Sequence, residues 1–306
     1  MHLSNAMIAE TSVSLMHTTA TQLPEELAQL RQRLHDHLGE PGERALLERM
    51  AAEVSPDAEI GGLKAKLDVK NDELERVLLA LLAARHAEKV EHLQVHPWVQ
   101  NKLRDELRSL EQGGDKNAVV AGEYLFEVRR NYAALRRFPA GPFDWVVSGI
   151  PRRWLFEAHA AAALQQTLFV IRRMKGFSPV LFLHVAPRPR NRSLVLEKEV
   201  LRTYYRIAAS LERQPEMLGI AMDSWFLDKR AREAMPYLEA IYHPFDSAGG
   251  LITEMGWAPP DSGYVEKHPE RAELAERGEI RYRMCNGLWP RVAALEWMKA
   301  HPECGE

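Results

Sequence analysis

The sequence reads as an α/β protein, with α+β as the neighbouring class: a helical N-terminal region followed by a small, mainly parallel or mixed sheet of about four strands flanked by helices. Three observations carry this. Apolar residues recur at helical spacing from about Pro24 to Arg137. Two short apolar runs, PVLFLHVA from Pro179 and MLGIAM from Met217, enclose an amphipathic stretch from Leu194 to Leu211, the pattern of a parallel βαβ unit. Two further strand-like runs, Leu251–Trp257 and Ile280–Leu288, enclose a helical stretch from Glu266 to Arg277 that Gly278 ends.

In chain order, residues 1–22 are rich in Ser, Thr and Met without a period and are expected to be a loose tail. A helical, winged-helix-like domain is expected over 23–114. Its first helices fall near Pro24–Leu38 and Gly42–Val54, punctuated by Gly39 and Pro41. A short helix (Ile60–Leu67), a turn and a longer helix (Asp72–Arg85) follow, with Leu63, Leu67, Leu74, Val77, Leu78 and Leu81 at the spacing of a helix-turn-helix core. Residues 86–93 are expected to be a return strand, so that residues 57–93 resemble the winged-helix family. The second helix opens on Asn71, Asp72 and Glu73, which suits a helix dipole and repels phosphate. Protein docking is therefore the favoured use of this unit, and nucleic acid the less favoured partner. His92 and His96 stand four apart, but Pro97 follows at once and no further ligand completes a set, so no metal site is expected.

Helices are expected at Pro97–Glu111 and Lys116–Arg137, and residues 115–178 are read as an arginine-rich helical connector to an α/β domain over 179–306. Net charge is −3 for 306 residues, but residues 124–216 carry 16 basic and 7 acidic side chains while both flanks are acidic. Four arginine pairs, at 129–130, 136–137, 152–153 and 172–173, lie in this section. Such an imbalance points to an anionic small molecule or an acidic protein as partner. FPAGPFDWVVSGIPRRW, with three prolines, reads as a loop.

The expected site lies at the C-terminal ends of the central strands, where open α/β sheets bind ligands. The turn PRPRNRS supplies Arg188, Arg190 and Arg192 for phosphate or carboxylate, with Ser193 as a cap for the next helix. The second strand ends in Asp223, Ser224, Trp225, Phe226, Leu227, Asp228. If the strands are parallel neighbours, His184 approaches Asp223 and an acid–base pair is available. The expected catalytic residues are thus Asp223, Ser224, His184 and Asp228, and the expected ligand-binding residues Arg188, Arg190, Arg192, Ser193 and Trp225. Asp228 equally suits an N-cap for the helix from Lys229. Pro290 is expected at the first position of the last helix.

The S-W-F-L-D unit (224–228), with the later RYRMCNGLWPR (281–291), resembles a bacterial protein family marked by S-W-F-x-D and W-P-R motifs, which implies no activity. A basic turn between a strand and a helix in a small mixed sheet is similar in outline to GNAT-type acyltransferases, which seat a pyrophosphate on backbone amides; their glycine-bearing turn, Q/R-x-x-G-x-G/A, is absent here. That outline implies a group-transfer enzyme with a phosphate- or CoA-bearing donor and acyl-CoA as the cofactor. The alternative is a non-catalytic binding or regulatory protein that docks an acidic protein or nucleic acid. No apolar run spans a membrane, no secretory signal is evident, and two cysteines, Cys285 and Cys304, form no ligand pair, so a cytoplasmic protein with no membrane partner is expected.

Overall fold

The computed structural model describes residues 23–52, 57–114, 123–158, 160–186, 196–258, 273, 277–278 and 281–305. The N-terminal tail and most of the helix expected at 266–277 lie outside them. Helix α1 runs Glu25–Ala51 and is two helices joined at Gly39, whose φ of 65° breaks the helical path where Gly39 and Pro41 announce it. Helices α2 (Asp57–Leu67) and α3 (Asn71–His86) form the expected helix-turn-helix pair. The wing is corrected. Residues Ala87–His92 form a 3-10 helix, not a strand, because only Val90 in it is buried and no alternation holds the chain extended. Helix α4 (Pro97–Glu111) starts on Pro97, with the His96 imidazole accepting the Trp98 N–H as its cap at 3.2 Å.

The connector also differs from expectation. Helix α5 stops at Ala133 (Glu123–Ala133), and the proline-rich loop contains two strands, β1 (Arg137–Pro139) and β2 (Phe143–Ser148). Pro139 sits in the edge strand, where a missing N–H costs no ladder bond. The section then continues in α6 (Trp154–Glu157) and α7 (Ala160–Phe169), the latter ending in a π-turn at Val170–Met174.

Beyond these come β3 (Val180–Val185), α8 (Glu197–Glu212), β4 (Gly219–Ser224), α9 (Lys229–Ala234), α10 (Glu239–Ser247), β5 (Leu251–Trp257), β6 (Arg283–Pro290) and α11 (Arg291–Ala300). The four strands expected in this half are present, and with β1 and β2 the sheet has six, in the order β1-β2-β3-β4-β6-β5. Its one parallel pair is β3 with β4; the other pairs are antiparallel. Pro290 is the N-cap of α11 rather than its first residue.

Alternation divides the sheet into two apolar faces. Leu181, Leu183, Ile220, Met222, Trp145 and Trp289 face a core continuous with the N-terminal helices. Val180, Phe182, Ala221, Leu288 and Met255 face a second cluster with Trp154, Val170 and Met174. Helix α8 joins the regions: Ser210 Oγ accepts the His96 N–H at 2.9 Å, and the Arg206 guanidinium lies 3.8 Å over Trp98 while donating to the Ala140 carbonyl at 2.9 Å. Gly219 opens β4 with φ of 156°, and a Cβ there would meet the Trp289 carbonyl oxygen of β6.

Under β2 lies a buried polar cluster. Asp144 is fully buried, Arg137 Nε donates to its Oδ2 at 3.0 Å, and the Tyr132 hydroxyl donates to the same oxygen. Burial and the Asp144 charge hold the Tyr132 phenol far above its ordinary pKa. Removing one partner of a buried pair strands the other. Asp144→Ala should therefore lower unfolding free energy by about 3–5 kcal/mol in urea titration. Tyr132→Phe should cost about 1.5–3 kcal/mol, as for a hydrogen bond to a charged group. Losses below ~1 kcal/mol would show that the cluster does not hold β1 and β2 in place.

Candidate functional site

The parallel ladder between β3 and β4 pairs Leu181 with Ile220, Phe182 with Ala221 and Leu183 with Met222, and ends there. Each strand continues past that point with its outer neighbour. β3 stays paired to β2 through His184 and Val185, and β4 stays paired to β6 through Asp223 and Ser224. The two central strands thus part at their C-terminal ends while both remain anchored on the outside. Beyond its last bridge a parallel ladder no longer supplies partners for the backbone groups of either strand.

The registers align one polar row across this end of the sheet. Asp144 lies opposite His184. Asp223 lies one step beyond the last paired residue of β4, across the gap from His184, and opposite Asn286. Asn286 lies opposite Thr253. Directly opposed residues share a face, so the row lies on the side of Phe182 and Ala221, under α6 and α7. His184 and Asp223 are both half-buried, and no hydrogen bond joins them among the described residues. His184 is held by aromatic contact instead: its ring lies 5.2 Å from Phe182, which lies 5.7 Å from Trp154 of α6. Asn286 is 2% exposed, and its Nδ2 has no hydrogen-bond partner. A donor left unpaired at this depth is costly unless something reaches it.

The charges of the row are set by burial. Burial, with the Arg137 charge, lowers the His184 pKa to about 4, so the imidazole is neutral at pH 7 with a free lone pair. Burial raises the Asp223 pKa, against the pull of Arg153. Asp144, by contrast, is held by Arg137 and Tyr132.

The other expected residues fall elsewhere. Ser224 points to the opposite face from Asp223, and its hydroxyl accepts the Phe226 N–H at 3.1 Å. Asp228 is 1% exposed and fully used: Oδ1 caps α9 by accepting the Arg230 N–H at 2.9 Å, and Oδ2 accepts the Arg283 N–H at 2.5 Å. It is a cap for α9, the role its place before Lys229 equally suits, and a pin for β6. Trp225 stacks on Tyr282 at 5.5 Å and 14°, closing the turn after β4. Arg188, Arg190, Arg192 and Ser193 lie outside the described residues. The N-cap of α8 is Leu196, not Ser193, and its first turn carries Glu197 and Glu199. Sequence reading missed Asn286 and Thr253. Nothing in their spacing marks them, since register alone brings them beside Asp223. A groove of about 710 Å³ lies apart from this row, lined by α1 residues including Arg31, His35 and Glu43.

No family model and no curated protein matches the chain. Two solved structures are similar to it: an acyltransferase in complex with CoA and 10C-teicoplanin (15% identity, 88% of each chain covered, TM-score 0.45) and a mutant acyltransferase in complex with octanoyl-CoA (15% identity, 88% of each chain, TM-score 0.41).

Both perturbed groups shape stability against pH. His184 has its folded pKa depressed below an unfolded value near 6.5, so the folded state binds fewer protons. Its contribution is intact above pH 6.5 and is lost as pH falls towards 4. His184→Gln should therefore flatten the loss of unfolding free energy between pH 7 and 4.5, by on the order of 2–3 kcal/mol at most. Asp223 has its folded pKa raised, so its cost appears as pH rises through that pKa. Asp223→Asn should raise Tm at pH 7 relative to wild type, and the gain should vanish near pH 4. A pH-independent Tm difference for either variant would refute its assignment.

Proposed function

We propose that this chain is a group-transfer enzyme that takes an anionic, phosphate- or CoA-bearing donor into the parting of β3 and β4. That parting is the observation that carries the reading. A slender, amide-bearing arm fits between two strands that no longer pair, because the free backbone groups of both edges can bond it as a ladder would. The connection that leaves β3 at Ala186 and enters α8 at Leu196 carries Arg188, Arg190 and Arg192, which suit the donor's phosphates bidentately.

For acyl transfer from a thioester the roles divide between the two sides of the gap. Asp223, whose proton affinity burial raises, takes the proton from the attacking amine or hydroxyl of the acceptor. The acceptor's heteroatom forms a bond to the acyl carbon and the C–S bond breaks. The proton then passes from Asp223 to the departing thiolate, leaving the carboxylate as it began. His184, neutral at pH 7, supplies a hydrogen bond to the acyl oxygen or the acceptor, and Asn286 Nδ2 supplies a donor on the Asp223 side. Ser224 has no part, since it lies on the other face.

Saturating CoA or octanoyl-CoA should raise the Tm of the purified chain by several degrees. Octanoyl-CoA should release thiol faster than the uncatalysed rate, with amines or water as acceptors. Asp223→Asn should slow that release about 100-fold or more without abolishing the CoA-dependent rise in Tm. Replacing Arg188, Arg190 and Arg192 together with Gln should remove the Tm response. No thermal response to any CoA species and no thiol release would discard the reading.

A further inference from the structure

We infer that the outward face of α7, with the arginine pairs that bracket it, docks the protein on an anionic lipid surface. Helix α7 and its π-turn bury Gln166, Val170 and Met174 against the sheet. The opposite side carries large apolar residues beside the exposed Gln165. Leu164 is 62% exposed, Leu168 38% and Ile171 57%, and their spacing of four and three places them in one stripe. Phe156, on the adjoining α6, is 84% exposed. Large apolar side chains exposed singly are ordinary; a run of four on two packed helices is not.

The cations around this stripe set what can cover it. Arg152 and Arg153 precede α6, Arg172 and Arg173 lie in the π-turn, and Lys175 follows; all five are exposed. Glu157, paired with Arg153 at 3.8 Å, is the one carboxylate nearby in sequence, and no Asp or Glu occurs between it and Glu197. A net positive rim at both ends of an apolar stripe matches the layered chemistry of a bilayer, with phosphates outermost and acyl chains below. Guanidinium groups bond phosphate oxygens bidentately. The stripe is also convex, on the outer side of a helix. A fluid interface fits around projecting side chains, whereas a stable protein partner would have to cover roughly 800 Å² with matched shape.

No helix among the described residues is long and apolar enough to cross a membrane, and a surface-lying contact needs none. The surface flanks the opening between β3 and β4, because Trp154 of α6 packs on Phe182 of β3. A docked protein would hold that opening beside the lipid, whatever chemistry takes place there.

The test is sedimentation of the full chain with vesicles of phosphatidylglycerol and phosphatidylcholine, against vesicles of phosphatidylcholine alone. Wild type should bind the anionic vesicles and not the neutral ones, and added salt should weaken binding. Leu164→Gln, Leu168→Gln and Ile171→Gln combined should reduce binding at least tenfold. Gln at Arg152, Arg153, Arg172 and Arg173 should reduce it by about fivefold per cation near the surface. All seven positions are exposed, so the variants should stay folded, with Tm measured alongside and a small loss expected only where Arg153, whose charge also acts on Asp223, is replaced. Equal binding to neutral and anionic vesicles would overturn the inference, as would wild-type binding by the apolar triple variant. Binding of polyglutamate at these same arginines without vesicle binding would also overturn it, and would assign the surface to an acidic protein.

Discussion

One pairing organises the molecule: β3 runs parallel to β4 in a sheet that is otherwise antiparallel. A parallel neighbour cannot be reached by a tight turn. The chain must leave the sheet and return, and α8 is that return. Because α8 crosses the sheet on the side of Leu183 and Met222, its buried face meets the N-terminal helices as well as the strands. Tyr204 donates to the Ile241 carbonyl at 3.0 Å and packs edge-on to Phe245 and Trp289. Ser210 and Arg206 reach the start of α4 and the exit of β1. The crossover that the parallel pair demands is thus also the joint between the helical region and the sheet. The same pairing leaves two C-terminal strand ends side by side, and β2 and β6 hold those ends apart once the central ladder stops.

Much of this is legible in the sequence, for identifiable reasons. β3 and β4 are buried on both faces, so each is an unbroken apolar run that no other element imitates at that length. β1 and β2 were illegible because three prolines and two glycines dominate the local pattern. Only the tertiary pairing of Trp145 with Leu183 and Phe138 with Trp145 shows that the stretch is extended. The expected wing failed the other way. Residues 86–93 contain helix-compatible charges around one buried valine, and nothing across from them offers a ladder. At the site, the place of His184 and Asp223 at the ends of neighbouring strands follows from knowing that the strands are parallel. The place of Asn286 does not, since β6 inserts between β4 and β5 out of chain order.

The polar row shows how one sheet face gives two carboxylates opposite tasks. Asp144 and Asp223 flank His184 from its two sides. Asp144 is bonded by Tyr132 and Arg137 and serves as a structural partner in the core. Asp223 lies where β4 has lost its parallel partner, and burial without a bonded cation raises its proton affinity. His184 feels the Arg137 charge and stays neutral. A site that must move a proton near neutral pH needs such an asymmetry, because a carboxylate locked in an ion pair is too weak a base.

An anion at this end of the sheet meets a second electrostatic constraint. Helix N-termini attract phosphate through unpaired N–H groups, and α8 begins directly after the arginine-bearing connection. Its first turn, however, carries Glu197 and Glu199, which already satisfy the positive end of the dipole and oppose a second negative group. Arg202 is drawn to Glu199 at 2.9 Å rather than outward. In the proposed function, attraction for a phosphate-bearing donor is therefore assigned to Arg188, Arg190 and Arg192 rather than to the helix. The absence of a glycine-bearing turn is then physically consistent. Glycines bring backbone amides close to a pyrophosphate, and a chain that relies on guanidinium groups has no need of that approach.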